Sequence, residues 1–209
     1  MFGRESWRTA DLVVIDVETT GLDPGRDRVI SYGAVPIDQG QIRAGGTVYQ
    51  LVNPGRPLGE ESVRIHGILA SDLADAPSGQ EAFAPLAAAI RGRLPVAHAA
   101  WVERAFLGRA LRAHRVRLPR RMLDTAALYR LLVIERGGRD PGPPSLGVLA
   151  AELGLPVHAP HHARGDALTT AQAFLALATH LEGLGRGSIR SLRGAERIIQ
   201  NQRGFRFGA

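Results

Sequence analysis

The chain of 209 residues contains no cysteine, which excludes both a disulfide framework and a thiolate zinc site. Any metal must be held by oxygen or imidazole, a donor set that suits hard ions such as Mg²⁺ or Mn²⁺ better than a structural zinc. Lysine is missing too, so all 26 basic residues are arginine. No apolar run approaches the roughly 20 residues that a membrane-spanning helix needs. The first residues, Met1 to Arg8, lack the apolar centre of a signal peptide. These absences lead to the expectation of a soluble, cytoplasmic protein with no membrane partner. No internal repeat is visible either, which sets aside solenoids and propellers.

What is present is enough apolar material, 44% of the residues, for a full core. A single domain with an appendage is the natural reading of this length. The formal net charge of +6 and a pI of about 11.0 favour polyanionic partners. That charge is unevenly placed. Residues 183–209 carry six arginines against Glu196, in a glycine-rich stretch with little to bury. We therefore divide the chain into a domain over 1–182 and a basic tail over 183–209, the latter with a short helix near 195–200.

The organising stretch is Leu12-Val13-Val14-Ile15-Asp16-Val17-Glu18-Thr19-Thr20-Gly21. Its apolar run reads as a strand buried on both faces. Side chains two apart on a strand share a face, so Asp16 and Glu18 project together. Two adjacent acids at the end of a buried strand are unfavourable unless a cation lies between them. The plain alternative is a strand that ends in solvent with hydrated acids.

Turn formers fill 21–27, a second strand runs over 28–37, and Gln39-Gly40 marks a hairpin. A third strand over 41–52 stops at Asn53-Pro54-Gly55. Short connections make these three strands antiparallel neighbours. A helix follows over 79–91, then a strand at 94–98 feeding a helix with Val102, Ala105, Phe106 and Arg109 at helical spacing. From there to residue 121 the chain carries Arg104, Arg109, Arg112, Arg115, Arg117, Arg120 and Arg121 against Glu103 alone. Asp124-Thr125 caps a helix over 126–134. Residues 137–144 read as a mobile Gly/Pro loop, 145–153 as a short helix, and 166–181 as a long amphipathic one. Antiparallel strands followed by strand-helix alternation give an α/β domain with a mixed sheet.

Acids recur at the ends of these elements: Asp16 with Glu18, then Glu103, then Asp166, with His161 five residues before the last. Here the chain resembles the DEDDh family of 3′–5′ exonucleases, the group similar to polymerase III proofreading subunits and RNase T. Asp16-Val17-Glu18-Thr19-Thr20-Gly21-Leu22-Asp23 looks like the first family motif. His98-Ala99-Ala100-Trp101-Val102-Glu103-Arg104-Ala105-Phe106-Leu107 resembles the second. His161-His162-Ala163-Arg164-Gly165-Asp166-Ala167 matches the third. The resemblance covers roughly residues 8 to 182 and implies an RNase H-like sheet, three antiparallel strands followed by parallel ones, flanked by helices.

It also implies a mechanism. Two divalent ions about 3.5–4 Å apart clamp the attacking and leaving oxygens of a phosphodiester, and carboxylates hold them. By resemblance Asp16, Glu18, Glu103 and Asp166 are the metal ligands, the ions are Mg²⁺ or Mn²⁺, and His161 is the general base, whose ordinary pKa near 6.5 suits the task. The loop carrying His161 is then expected to close over the substrate. Two departures stand out: the family usually has aspartate in place of Glu103 and asparagine in place of Ala99. A longer side chain shifts the carboxylate by about 1.5 Å, one carbon-carbon bond, and a misplacement of that order can lower a rate roughly 10²-fold. Among loop acids, Asp140 is the remaining candidate to help.

Thr19, Leu22, His66 and Trp101 are candidates to line the groove for the terminal nucleotide, with core packing the rival for Leu22 and Trp101. His98 reads as a structural histidine bonded to backbone. His158 and His162 accompany His161 either as a metal cluster or as solvated loop histidines. The arginines over 104–121 either track phosphates or form a solvated face, and their one-sided charge favours phosphate. In the tail, Gln202-Arg203-Gly204-Phe205-Arg206-Phe207 is similar to sliding-clamp docking peptides, although a basic tail that grips nucleic acid is the simpler reading. The expected activity is 3′–5′ exonucleolytic hydrolysis of single-stranded nucleic acid, DNA ahead of RNA, releasing nucleoside monophosphates. A DNA polymerase or sliding clamp is the protein partner to consider. The rival readings are an RNA-trimming exoribonuclease and a catalytically weakened module that binds nucleic acid without cutting.

Overall fold

The computed structural model describes residues 5–199. Its centre is a mixed sheet in the order β3 (Gln41–Ile42), β2 (Val29–Asp38), β1 (Leu12–Thr19), β5 (Leu94–Ala97) and β6 (Leu123–Asp124), with β4 (Val48–Leu51) also paired to β2. Strand β1 (Leu12–Thr19) is antiparallel to β2 (Val29–Asp38), with Asp16 opposite Gly33 and Glu18 opposite Ser31. On its other side β1 runs parallel to β5 (Leu94–Ala97), and β5 parallel to β6 (Leu123–Asp124). This is the sheet that the resemblance implied.

The third strand differs from its expected span. It divides into β3 (Gln41–Ile42), a 3₁₀ turn at Ala44–Gly46, and β4 (Val48–Leu51), both strands pairing with β2. The reason is local, because Ala44-Gly45-Gly46 has weak strand propensity and interrupts the run. Gln39 and Gly40 both take positive φ, +51° and +69°, as a tight twisted hairpin turn requires.

Helices cover both faces. The short helices α1 (Glu60–His66) and α2 (Ala70–Leu73) follow β4. The helix expected over 79–91 starts as a 3₁₀ turn at Glu81–Phe83, and α3 proper is Ala84–Ile90, with Pro85 in its first turn, where a missing N–H does no harm. Helices α4 (Trp101–Ala113), α5 (Thr125–Glu135), α6 (Leu146–Glu152) and α7 (Ala163–Gly183) follow their strands, and α8 (Ile189–Leu192) comes last. The alternation of β1 sorts the core. Val13, Ile15 and Val17 face α3 and α4, while Leu12 and Val14 share a cluster with α5, α6 and α7. By the same period of two, Asp16 and Glu18 fall on the α7 side.

Two expectations need correction. Residues 137–144 are anchored: Arg130 forms a two-pronged ion pair to Asp140 at 2.8 Å per contact, and the Pro144 carbonyl is bonded to His98. Nor does the stretch after 182 have little to bury. Ile189, Leu192, Ala195 and Ile199 belong to the main core cluster, and residues 195–199 are helical, where a helix was expected. The Ile189 amide donates to the Glu5 carbonyl, and Trp7 meets Phe174 of α7 edge-on at 6.1 Å. The clamp-like peptide at 202–207 lies outside the described residues. No helix among them is long and apolar enough to cross a membrane.

Candidate active site

The strand end at β1, the first turn of α4 and the first turn of α7 converge. Asp16, Glu18 and Asp166 each offer a carboxylate oxygen within 4.8 Å of the others. Burial raises all three, and repulsion from neighbouring acids adds to it at Asp16 and Glu18. Burial, then the charges of Glu103, Glu18 and Asp166, push the Asp16 carboxyl well above the usual range. Burial and then Asp166 push Glu18 up to about 7. Asp166 is raised by burial, against the opposing pull of its hydrogen bond from the His161 amide at 3.0 Å. Among the described residues no arginine forms an ion pair with any of them.

Glu103 stands apart from that trio. It comes from α4, which packs on the opposite face of the sheet through Leu107 and Leu111. It is 2% exposed, and its Oε2 has no hydrogen-bond partner among the described residues. Burial, then the charges of Asp124 and Glu18, raise its carboxyl well above the ordinary value. A buried carboxylate oxygen left without a donor is unfavourable by about 1–3 kcal/mol or more, so this acid needs a proton or a cation. The donor set, three clustered carboxylates with Glu103 close enough to act on the charge of Asp16, fits hard divalent ions.

Local structure fixes these positions. Asp124, at the end of β6, accepts from the amides of Ala99 and Ala100 before α4 and from Ala126 and Ala127 at the start of α5. One carboxylate thus caps α5, as expected, and also sets where α4 begins. His98 is structural as expected. Its Nε2 bonds the Pro144 carbonyl at 3.0 Å and its Nδ1 lies 2.9 Å from Thr125 Oγ1. A carbonyl only accepts, so a neutral ring protonated at Nε2 satisfies both contacts. Burial lowers its pKa, in keeping with that neutral form.

Other expected site residues fall as follows. Leu22 is 68% and Trp101 55% exposed, so core packing does not explain either. Thr19 is half-buried, and its hydroxyl donates to the Gly21 carbonyl. His66 accepts from the Ile68 amide at Nδ1, while its buried Nε2 has no partner among the described residues. Its pKa is lowered by burial and then by His161, which places the two rings in one electrostatic neighbourhood. His161 is exposed and takes φ +58°. Asp140, engaged by Arg130, is not at the site. His158 bonds Gln172 and His162 stacks on Tyr49 at 4.5 Å, so neither joins a metal-binding group among the described residues.

Three positioning residues escaped the sequence reading. Gly33 faces α7 across β2, where a Cβ would collide with the backbone of Ala163 and Arg164. Gly165 meets the carbonyls of His158 and Ala159 in the same way. Tyr49 on β4 carries the His162 ring and lies under the Arg164 guanidinium, 6.0 Å away. A glycine in mid-strand does signal close backbone approach, so Gly33 was open to detection. Tyr49 carried no such signal.

This geometry meets independent similarity. The family model for exonucleases, RNase T, matches residues 13–174. The chain belongs to this exonuclease family. It is 36% identical over 176 residues to a DNA polymerase III subunit epsilon-like protein of Rhodobacter capsulatus, covering 83% of this chain and 24% of that protein. It is 33% identical to a PolC-type DNA polymerase III of Thermotoga petrophila, over 86% of this chain and 13% of the other. Against the DNA polymerase III epsilon subunit of Treponema pallidum the identity is 31%, over 79% of this chain and 75% of that protein. The chain thus spans a quarter or less of the length of the first two relatives. Among solved structures, exonuclease X bound to 5′-overhanging duplex DNA superposes with a TM-score of 0.63 at 24% identity, covering 88% of this chain and 99% of the other. E. coli exonuclease I bound to a dT13 oligonucleotide gives 0.68 at 18%, covering 85% and 43%. These two likenesses concern the fold.

Proposed function

We propose that the protein is a metal-dependent 3′–5′ exonuclease that shortens single-stranded nucleic acid, DNA ahead of RNA, and releases nucleoside monophosphates. The observation that carries this reading is the meeting of Asp16, Glu18 and Asp166 within 4.8 Å with no arginine paired to them among the described residues, beside Glu103, whose buried Oε2 lacks a hydrogen-bond partner there. Membership of the exonuclease family supports it. Asp16, Glu18 and Asp166 would hold two Mg²⁺ or Mn²⁺ ions, with Glu103 completing the set. When bound, such ions supply an activated water and charge stabilisation at the leaving oxygen.

The chain's own groups do the rest. His161 is exposed beside the acids, with its amide tied to Asp166. That tie leaves the imidazole able to take the proton of the attacking water. The exposed indole of Trp101 and side chain of Leu22 would offer apolar surface to a terminal base, with Thr19 and His66 completing that subsite. The relatives that are polymerase III subunits make a DNA polymerase, or the clamp it travels with, the protein partner proposed here.

The test is a 5′-labelled single strand incubated with Mg²⁺ or Mn²⁺, as deoxy- and ribo-oligomers side by side. Stepwise shortening from the 3′ end, abolished by Asp16→Ala and by His161→Ala, is the expected result. Absence of metal-dependent cleavage of either polymer at high protein concentration overturns the reading. One observation favours a second reading, a weakened nuclease that only binds: Glu103 lies outside the three-acid group. Binding without cleavage, with cleavage restored by Glu103→Asp, would select it.

A further inference from the structure

Along α4 lies a groove of about 660 Å³ lined by Arg28, Arg104, Arg109 and Arg112, with Phe106 and Pro54 among its apolar walls. The volume falls within the roughly 300–1,000 Å³ of ligand-binding clefts. All four arginines are exposed, and among the described residues none of them forms an ion pair. The carboxylate in the lining, Asp27, is engaged elsewhere, accepting from Thr20 Oγ1 at 2.8 Å and from the Asp23 amide at 2.9 Å. The groove therefore presents Arg104, Arg109 and Arg112 without ion-pair partners among the described residues, while Arg28 donates to the Arg26 and Asp27 carbonyls and lies near the Asp27 carboxylate, the one negative charge in the lining.

Its place in the fold gives it direction. Arg104 directly follows Glu103 on α4, and Asp27 is fastened to Thr20, two residues beyond Glu18. The groove thus starts at the residue after Glu103 and runs along α4 through Arg109 and Arg112. A strand whose 3′ terminus lies at the acids has to leave over some surface, and this one matches its phosphates in charge and its bases in apolar character.

We propose that this arginine-lined groove seats the phosphodiester backbone of the nucleotides 5′ to the scissile bond. The inference rests on the exonuclease reading above. It commits to a single nucleic-acid strand, held sequence-independently by phosphate contacts, and makes the enzyme one that prefers longer substrates to short ones.

The test compares the full chain with an Arg104→Ala/Arg109→Ala/Arg112→Ala variant, measuring fluorescence anisotropy in EDTA so that no strand is cut. The probes are a labelled deoxydinucleotide and an oligomer of roughly 16 nucleotides, the upper site size of one single-strand-binding unit. Three lost phosphate contacts lower the salt slope of binding for the oligomer by about 2, at roughly 0.7 per contact on single strands. Dissociation constants for the oligomer should rise at least tenfold, those for the dinucleotide should stay constant, and an Arg→Lys triple variant should recover most of the slope. An unchanged slope and affinity in a variant with wild-type thermal stability overturns the groove while leaving the exonuclease reading intact. Wild-type protein that neither binds nor cuts any strand defeats both. Binding of acidic polypeptide but not of DNA at the groove would reassign it to a protein partner and likewise overturn the proposal.

Discussion

At Glu18 the structure makes a pH prediction with a definite sign. Its carboxyl rises from 4.5 to about 7 on folding, through burial and then the charge of Asp166. An acid with a raised folded pKa opposes folding once ionised. The penalty is absent below 4.5, grows through the window up to about 7, and is complete above it. Glu18→Gln should therefore stabilise the metal-free protein above that window. Discounted for solvent screening, the gain is about 2 kcal/mol, or roughly 4–8 °C in Tm for a chain of this size. The gap to wild type should close as pH falls toward 4.5. Melting both proteins in EDTA across that range checks it, and a gap independent of pH would contradict the cause given. Comparing the pair removes the histidines, since His66 and His98 have lowered pKa values and titrate alike in both. Mn²⁺ should reverse the ranking, because ions bind the deprotonated wild-type cluster more tightly.

Ala99 carries a second prediction at this scale. It adopts φ +57°, a region that asparagine visits more readily than alanine. The departure from the family's usual asparagine therefore falls at a strained backbone position. Ala99→Asn should stabilise the fold by about 1 kcal/mol, raising Tm by roughly 2–4 °C. A fall in Tm would mean that the site has adapted to alanine.

At the scale of elements, the third motif is placed by contacts that lie outside it. The first turn of α7 seats against β2 because Gly33 has no side chain to intrude. The loop before it is held by the His162 ring on Tyr49. Tyr49→Ala should release that loop, displacing His161 and Asp166 together and lowering kcat about 10²-fold, the scale of a 1 Å misplacement. KM should move much less if Tyr49 acts through the loop rather than on the nucleotide. Tyr49→Phe keeps the stacked ring and should keep most of the activity. Equal losses in both variants would point to the hydroxyl and overturn the stacking argument.

For the whole molecule, residues 183–199 close the core. Ile189 and Leu192 are 0% and 2% exposed in the cluster that α5, α6 and α7 share. Replacing each with alanine should lower stability by about 2–5 kcal/mol. The double variant then loses much of the roughly 5–15 kcal/mol that holds a typical domain together, and chemical denaturation should show a largely unfolded protein. A double variant that melts within a few degrees of wild type would restore the simple picture of a tail.

The strand at Leu12–Thr19, the mixed sheet, the cap at Asp124 and the three acidic sites were legible in the sequence. Each is written by local signals: a run of apolar residues, carboxylates two apart, a capping residue before a helix. That Asp16 and Glu18 share a face also follows from the strand period alone. Sequence could not decide which acids meet at contact distance. That depends on the side of the sheet from which each helix arrives, and α4 brings Glu103 from the side opposite α7. Nor could it show that Gly33 and Tyr49 place the third motif, or that Ile189 and Leu192 are core. Those facts belong to contacts between segments far apart in the chain, where composition and spacing carry no record of the partner.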